Sequence, residues 1–134
     1  MDIKAILQRY WGYSKFRTLQ EEIIRSVLEG NDTLALLPTG GGKSICFQVA
    51  AMAQEGICIV ISPLISLMKD QVENLRKRNI TASTIHSGMH NKEIELVITR
   101  CIRGEIKFLY ISPERLKNTL MKNSLQQMKV CLLA

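Results

Sequence analysis

The segment LALLPTGGGKS, residues 34–44, joins an apolar run to three glycines, a lysine and a serine. The apolar residues predict a buried strand from Thr33 to Leu37, and the glycines permit a tight turn whose backbone N–H groups point at one anion. Lys43 would then neutralise the terminal phosphates of a nucleotide, and Ser44 would offer its hydroxyl to Mg²⁺. A helix starting at this lysine would direct its positive dipole end at the same phosphates. The pattern predicts a nucleotide-phosphate site.

One position departs from the general phosphate-loop pattern G-x-x-x-x-G-K-[ST], because Leu37 occupies the place of the first glycine. A glycine-rich turn before an ordinary helix is the competing interpretation. The strand, the glycines, the Lys-Ser pair and an apolar helix nevertheless follow one another in the order that phosphate binding requires. That order favours the phosphate site.

The composition is that of one ordinary globular domain. The chain has 134 residues, of which 46% are hydrophobic and 22% are charged. Its formal net charge of +6 suits a nucleic acid or another polyanion as partner, and a solvated basic surface would have the same composition. No apolar run approaches the roughly 20 residues that a membrane-spanning helix needs, so we expect no membrane association.

Four cysteines are spread widely along the chain, at Cys46, Cys58, Cys101 and Cys131. None belongs to a Cys-x-x-Cys pair and neither histidine is paired with one of them, so a zinc site is not expected. They are typical of reduced thiols in a core. We therefore expect a reducing compartment, which is the cytoplasm with its nucleoid in a bacterium or the nucleus in a eukaryote.

The N-terminal part of the sequence predicts helices on either side of an aromatic segment. Residues 2–9 have apolar side chains at helical spacing, and an apolar stripe from Leu19 to Leu28 predicts an amphipathic helix that ends at Gly30. Between them, the run YWGYSKF at residues 10–16 is dense in rings. It would serve either as a hydrophobic anchor for the N-terminus or as a platform for a flat ligand.

Beyond Lys43 the sequence alternates between strands and helices. Strands are predicted at residues 57–61, 81–85, 107–111 and 129–134, and helices at residues 66–77, 91–103 and 113–122. Such alternation predicts an α/β fold, a parallel sheet with helices on both faces. Right-handed crossovers would bring the loops after Leu37, Ile61, Ile85 and Ile111 to one edge of the sheet, where we expect the function.

Two of these loops share a Ser-Pro pair. Ser62-Pro63 and Ser112-Pro113 each follow a predicted strand, with a serine suited to capping a helix and a proline suited to its first turn. Each loop would present free N–H groups to an anion such as a nucleic-acid phosphate. Plain helix capping, without any ligand, explains the same residues.

Four stretches together resemble the first RecA-like domain of RecQ-family DNA helicases, and the resemblance covers nearly the whole chain. Residues 12–20 (GYSKFRTLQ) are similar to the adenine-reading motif of that family, and residues 37–44 (LPTGGGKS) to its form of Walker A, which also lacks the first glycine. Residues 62–71 (SPLISLMKDQ) are similar to motif Ia, and residues 110–116 (YISPERL) to motif Ib. The last two stretches favour the DNA branch over RNA helicases of the DEAD-box type.

The resemblance implies a role for each matched residue. Tyr13 and Arg17 would sandwich the adenine ring, and Gln20 would hydrogen-bond its edge. Lys43 would be the catalytic residue and Ser44 the Mg²⁺ ligand, and the phosphates would be held by Thr39, Gly40, Gly41, Gly42, Lys43 and Ser44. The residues in contact with DNA would be Ser62, Pro63, Leu64, Lys69, Ser112, Pro113, Glu114 and Arg115.

The resemblance also implies a truncated P-loop NTPase (RecA-like) fold and an activity. Residues 1–30 would form a helical segment with the adenine-reading motif, and residues 31–134 a partial RecA-like domain. The parent protein would unwind DNA 3′ to 5′ with ATP and Mg²⁺, acting on single-stranded and forked DNA in repair and recombination. The sequence ends at Ala134, before the Asp-Glu-Ala-His of Walker B that the family places next. We therefore expect this chain alone to bind ATP without turnover or unwinding, and to self-associate through an exposed sheet edge.

Two other functions fit parts of the sequence. A nucleotide-dependent nucleic-acid-binding module would use the same phosphate loop and the same Ser-Pro loops without hydrolysis. A different phosphate-loop enzyme, such as a kinase, would need an acceptor site, and the sequence offers no residues that can be named for one.

Overall fold

The structure is a computed structural model that describes residues 2–33 and 43–134. The chain divides into two compact units, residues 1–55 and residues 56–134. The predicted strand after Thr33 and the glycine turn at residues 39–42 lie outside the described residues, so both stay predictions. The domain boundary predicted after residue 30 falls within the first unit and also stays a prediction.

The described part of the first unit is helical. Its elements are α1 (Ile3–Ile6), a π-helical turn (Leu7–Trp11), α2 (Gln20–Leu28) and α3 (Lys43–Met52). Both α1 and α2 contact α3. Each helix turns an apolar face inward, so that Ile6, Ile24 and Val49 are buried.

The opening helix differs in detail from the expectation. The sequence predicted a helix over residues 2–9 followed by an aromatic loop, but the helical path continues as the π-helical turn through Trp11. It ends at Gly12, whose left-handed conformation (φ 76°) suits glycine at the end of a helix. Trp11 is buried, which favours the anchor interpretation for this ring.

The second unit alternates strands and helices. Its elements are β1 (Ile57–Ile61), α4 (Ile65–Lys77), β2 (Ala82–Ile85), α5 (Asn91–Ile102), β3 (Phe108–Ile111), α6 (Pro113–Leu116), α7 (Thr119–Gln126) and β4 (Val130–Leu133). The strands form a four-stranded parallel sheet in the order β2-β3-β1-β4. The predicted α/β fold with a parallel sheet is confirmed.

Helices cover both faces of this sheet. The chain crosses from β1 to the far strand β2 through α4, and it returns in the opposite direction through α5 and then through α6 and α7. Because such crossovers are right-handed, the reversal places α4 on one face and α5 and α7 on the other. Ile59 and Leu109 pack with Ile98 and Met121 in one apolar cluster. Phe108, which points to the opposite face, is also fully buried.

Gly56 allows β1 to begin close to the chain that enters β4. It has a φ of 109°, and a Cβ atom at this position would lie 2.5 Å from the carbonyl oxygen of Lys129. The Lys107 ammonium donates a hydrogen bond to the Gly56 carbonyl oxygen at 2.7 Å. The close approach and the positive φ both require glycine here.

The prediction of a single helix over residues 113–122 is wrong. α6 ends at Leu116 and α7 begins at Thr119. Between them Asn118 is extended (φ −72°, ψ 128°), and its Oδ1 accepts hydrogen bonds from the N–H groups of Leu120 and Met121 at 2.8 and 3.4 Å. An asparagine side chain competes with the helical backbone in this way, so it favours helix caps over helix interiors.

The expectation that Ser62 caps the helix after β1 is wrong as well. The Ser62 hydroxyl accepts a hydrogen bond from the N–H of Leu64 at 3.2 Å, which makes a local turn. Leu64 is extended and becomes the N-cap, so α4 begins at Ile65. Ser112 does stand at the N-cap of α6 with Pro113 in the first turn, but its side chain makes no capping hydrogen bond.

The cysteines have free thiols. Cys46, Cys58 and Cys101 are buried and Cys131 is half-buried. Burial raises the pKa of Cys58 and of Cys101 to about 12, so both thiols stay protonated at neutral pH. Within residues 2–33 and 43–134, no group of three or more His, Cys, Asp and Glu residues could hold a metal ion.

Across the same described ranges, none of the helices combines the length and the apolar character that crossing a membrane requires.

Candidate functional site

Lys43 and Ser44 are the first two residues of α3 and directly follow the glycine-rich segment. Lys43 is exposed and Ser44 is half-buried, and the first turn of this helix contains no acidic side chain. The dipole at the start of a 10-residue helix attracts an anion, and the ammonium adds a full positive charge. The other predicted phosphate ligands, residues 39–42, lie outside the described residues.

Gln20 begins α2 and is only 2% exposed. Its side-chain Oε1 accepts a hydrogen bond from the backbone N–H of Arg17 at 2.8 Å. In return, the backbone N–H of Gln20 donates to the carbonyl oxygen of Arg17 at 3.1 Å. The structure therefore brings these two predicted adenine-binding residues together in one tight turn. The third, Tyr13, lies in the loop before them with its ring half exposed.

Leu19, which the sequence predicted as the first residue of an apolar helical stripe, shapes this turn from outside the helix. It stands at the N-cap of α2 in the left-handed region (φ 71°, ψ −14°), without a side-chain capping hydrogen bond. A Cβ atom makes this conformation strained, and the 47% exposed side chain gains little packing in return. Leucine is not enriched at positive φ, so its residue type gave no signal.

The two Ser-Pro loops lie side by side in the second unit. β1 and β3 are neighbours whose ends are in register, with Ile61 opposite Ile111. The N–H of Ser62 donates to the carbonyl oxygen of Ile111, and the N–H of Ser112 to that of Ile85, both at 3.1 Å. The loops after β1, β2 and β3 thus share one edge of the sheet, as the crossover rule predicted.

The residues predicted to contact DNA differ in exposure. Pro63, Leu64, Lys69 and Glu114 are exposed, Ser62, Pro113 and Arg115 are half-buried, and Ser112 is buried. The Ser112 Oγ has no hydrogen-bond partner and is closed off from the surface. Its hydroxyl is therefore not offered to a ligand, whereas the side chains around it are.

The loop after β3 carries charges of both signs. A hydrogen bond from its own backbone N–H lowers the pKa of Glu114, and the nearby Ser112 hydroxyl and Arg115 guanidinium lower this pKa further. Glu114 is thus firmly ionised at neutral pH beside Arg115.

Comparisons with known proteins identify the family of this chain. The DEAD/DEAH box helicase family matches residues 17–133. The ATP-dependent DNA helicase RecQ of Bacillus subtilis is 47% identical over 132 residues, and that of Synechocystis is 44% identical over 128 residues. These alignments cover 98% and 96% of this chain, but 22% and 27% of the two relatives.

Among solved structures, the DUF1998 helicase MrfA bound to DNA has a TM-score of 0.68 with this chain, at 21% identity. The match covers 88% of this chain and 18% of that protein, and it supports the fold alone. The chain spans about a quarter of the length of the curated relatives it matches. Since the family match extends over most of the sequence, from Arg17 to β4, the chain belongs to the DEAD/DEAH box helicase family, with RecQ-type DNA helicases among its relatives.

Proposed function

We propose that this chain is the nucleotide-binding part of an ATP-dependent DNA helicase of the RecQ type. One observation carries the proposal: exposed Lys43 begins α3 directly after the glycine-rich segment, with no acidic side chain in the first turn. An ammonium at the positive end of a helix is suited to the charge on the β- and γ-phosphates of ATP. Relatives that match 96% and 98% of this chain are named ATP-dependent DNA helicase RecQ.

The adenine end of the nucleotide would be read by the turn before α2. Tyr13 and Arg17 would stack on the ring, and the side chain of Gln20 would meet its edge. Support comes from the hydrogen bond between Gln20 Oε1 and the N–H of Arg17, which fixes the glutamine relative to the stacking arginine. Ser44, the second residue of α3, fits the role of a Mg²⁺ ligand because it offers a hydroxyl beside the lysine.

The DNA-binding part of the proposal rests on the Ser-Pro loops. Exposed Leu64 and Lys69, at the N-cap and within α4, follow β1, and half-buried Arg115, within α6, follows the neighbouring strand β3. A lysine and an arginine there suit phosphate contacts, which hold a nucleic acid without reading its sequence. We propose single-stranded and forked DNA as the substrate, 3′ to 5′ movement, and a role in repair and recombination.

Self-association is a further part of the proposal. β4 pairs with β1 along one edge, and its side chains Val130 and Leu133 are 43% and 66% exposed. Among the strands that the structure describes, β4 pairs only with β1, and a free strand edge with apolar side chains would be a template for pairing with a second chain.

Calorimetric titration of ATP and Mg²⁺ into the 134-residue chain tests the nucleotide site. The unaltered chain is expected to bind ATP, and Lys43→Ala to bind it about tenfold more weakly, because a charge-assisted phosphate contact is lost. Lys92→Ala is the matched control, since Lys92 is also an exposed lysine in the first turn of a helix, α5. Equal ATP affinity in the Lys43 and Lys92 variants would refute the assignment.

A further inference from the structure

A cavity of about 320 Å³ opens in the second unit beside the proposed DNA-binding loop. It lies between α5 and the segment that joins α6 to α7, at the end of β2. Its apolar walls come from Ile85, Ile94, Ile98 and Met121. This volume is at the lower end of the range found for small-molecule sites, where apolar walls and a few polar groups occur together.

Polar side chains stand around the apolar walls. Asn91 and Glu95 come from α5, and Arg115 and Asn118 from α6 and the residue before α7. Asn118 Oδ1 is occupied as the cap of α7. In the part of the chain that the structure describes, the side chains of Asn91, Glu95 and Arg115 make no hydrogen bond or ion pair. Three polar groups lining one cavity are therefore available to a ligand.

The arrangement fits one nucleotide unit better than a purely apolar ligand. A base has flat apolar faces that suit isoleucine and methionine walls, and its edge carries donors that a carboxylate or an amide can accept. A guanidinium is suited to the phosphate that adjoins the base. Glu95 would repel a phosphate but accept a hydrogen bond from a base. The carboxylate therefore favours the base on its side of the cavity, and the guanidinium of Arg115 favours the phosphate on the other side.

We infer that this cavity receives one unstacked base of a single-stranded nucleic acid, with Arg115 on the adjoining phosphate and Glu95 and Asn91 on the base edge. The inference rests on the proposed function and deepens it, because a contact with a base differs from the phosphate contacts expected of the Ser-Pro loops. Single strands can supply such a base, since their bases are free to leave the stack.

The test compares two labelled single-stranded DNA oligonucleotides of equal length and charge by fluorescence anisotropy at one salt concentration. In the second, consecutive bases are replaced by abasic sites. The 134-residue chain is expected to bind the intact strand about fivefold more tightly, because stacked or enclosed bases add affinity that phosphates do not. Glu95→Ala is expected to bring the ratio of the two affinities close to one.

Glu93→Ala is the matched control, because Glu93 is an exposed glutamate on the same helix that does not line the cavity. It removes the same charge and should leave the ratio unchanged. Equal binding of both oligonucleotides, or an equal loss of the ratio in both variants, would overturn the base pocket and leave the nucleotide site intact. Binding of neither oligonucleotide would overturn the pocket together with the DNA-binding part of the proposed function, while ATP binding would still report on Lys43.

Discussion

Leu19 holds a left-handed backbone conformation directly before Gln20, where glycine or asparagine would be less strained. Asn79 shows the ordinary case, because it follows α4 with a φ of 62° and belongs to a residue type that tolerates this region. Strain at an exposed leucine persists only where the surrounding structure enforces it. Here the enforcing structure is the turn that joins Arg17 to Gln20.

A change of Leu19 to a β-branched residue should therefore lower the free energy of unfolding. Leu19→Val is expected to lower the free energy of unfolding by about 1 kcal/mol more than Leu28→Val, because valine tolerates positive φ worse than leucine does. Leu28 is the control because it is also a partly exposed leucine, at the other end of α2. Leu19→Asn should be tolerated.

Denaturant unfolding followed by tryptophan fluorescence measures these differences. Trp11 is the only tryptophan, and it is buried in the same unit as Leu19. Equal losses in the two valine variants would mean that the conformation of Leu19 carries no strain.

The residue types in the predicted phosphate loop indicated its local structure, whereas the residue type of Leu19 did not indicate its backbone conformation. Glycines, a lysine and a serine at fixed spacing have a chemical reason to occur together, and they predicted that a helix begins at Lys43. A left-handed leucine and a cavity between α5 and α7 depend on how distant segments meet, and one sequence read by periodicity does not contain that information. The sequence therefore predicted which residues belong to the turn around Gln20, but it did not predict their backbone conformation.

The strands were the elements that the sequence predicted best. Runs such as residues 57–61 and 108–111 are short, apolar and rich in β-branched or aromatic side chains, and burial on both faces leaves them no alternative. The helix predicted over residues 113–122 lacked the break that separates α6 from α7. Apolar residues at helical spacing stand on both sides of Lys117 and Asn118, so the sequence shows no break there. The break comes from the side chain of Asn118, which accepts hydrogen bonds from backbone N–H groups.

Asn118 should accordingly stabilise α7. Asn118→Ala is expected to lower the free energy of unfolding by about 1 kcal/mol, since Oδ1 no longer accepts from the N–H groups of Leu120 and Met121. Asn123→Ala is the control within the same helix, where an exposed asparagine has no capping role and alanine is the better helix former.

Thermal unfolding followed by circular dichroism distinguishes the two variants. The Asn118 variant should melt at a lower temperature than the unaltered chain, and the Asn123 variant at the same or a higher temperature. A loss in both variants, or in neither, would contradict the capping role of Asn118.

Taken as a molecule, the chain combines a helical unit with the nucleotide motifs and a sheet-containing unit with the Ser-Pro loops. Hydrolysis of ATP needs more than the phosphate cradle: Mg²⁺ must be held by further ligands, and the attacking water must be oriented. The described residues contain no cluster of carboxylates, histidines or cysteines able to hold a metal. We propose that the 134 residues bind ATP and leave it intact.

The decisive measurement is ATP binding and ADP formation in one sample of the 134-residue chain, with and without single-stranded DNA. We expect that ATP binds, that Lys43→Ala binds it about tenfold more weakly, and that no ADP forms above background in either condition. ADP formation stimulated by DNA would contradict this expectation, because the catalytic carboxylates would then lie within these residues. An absence of ATP binding would contradict the proposed nucleotide site itself.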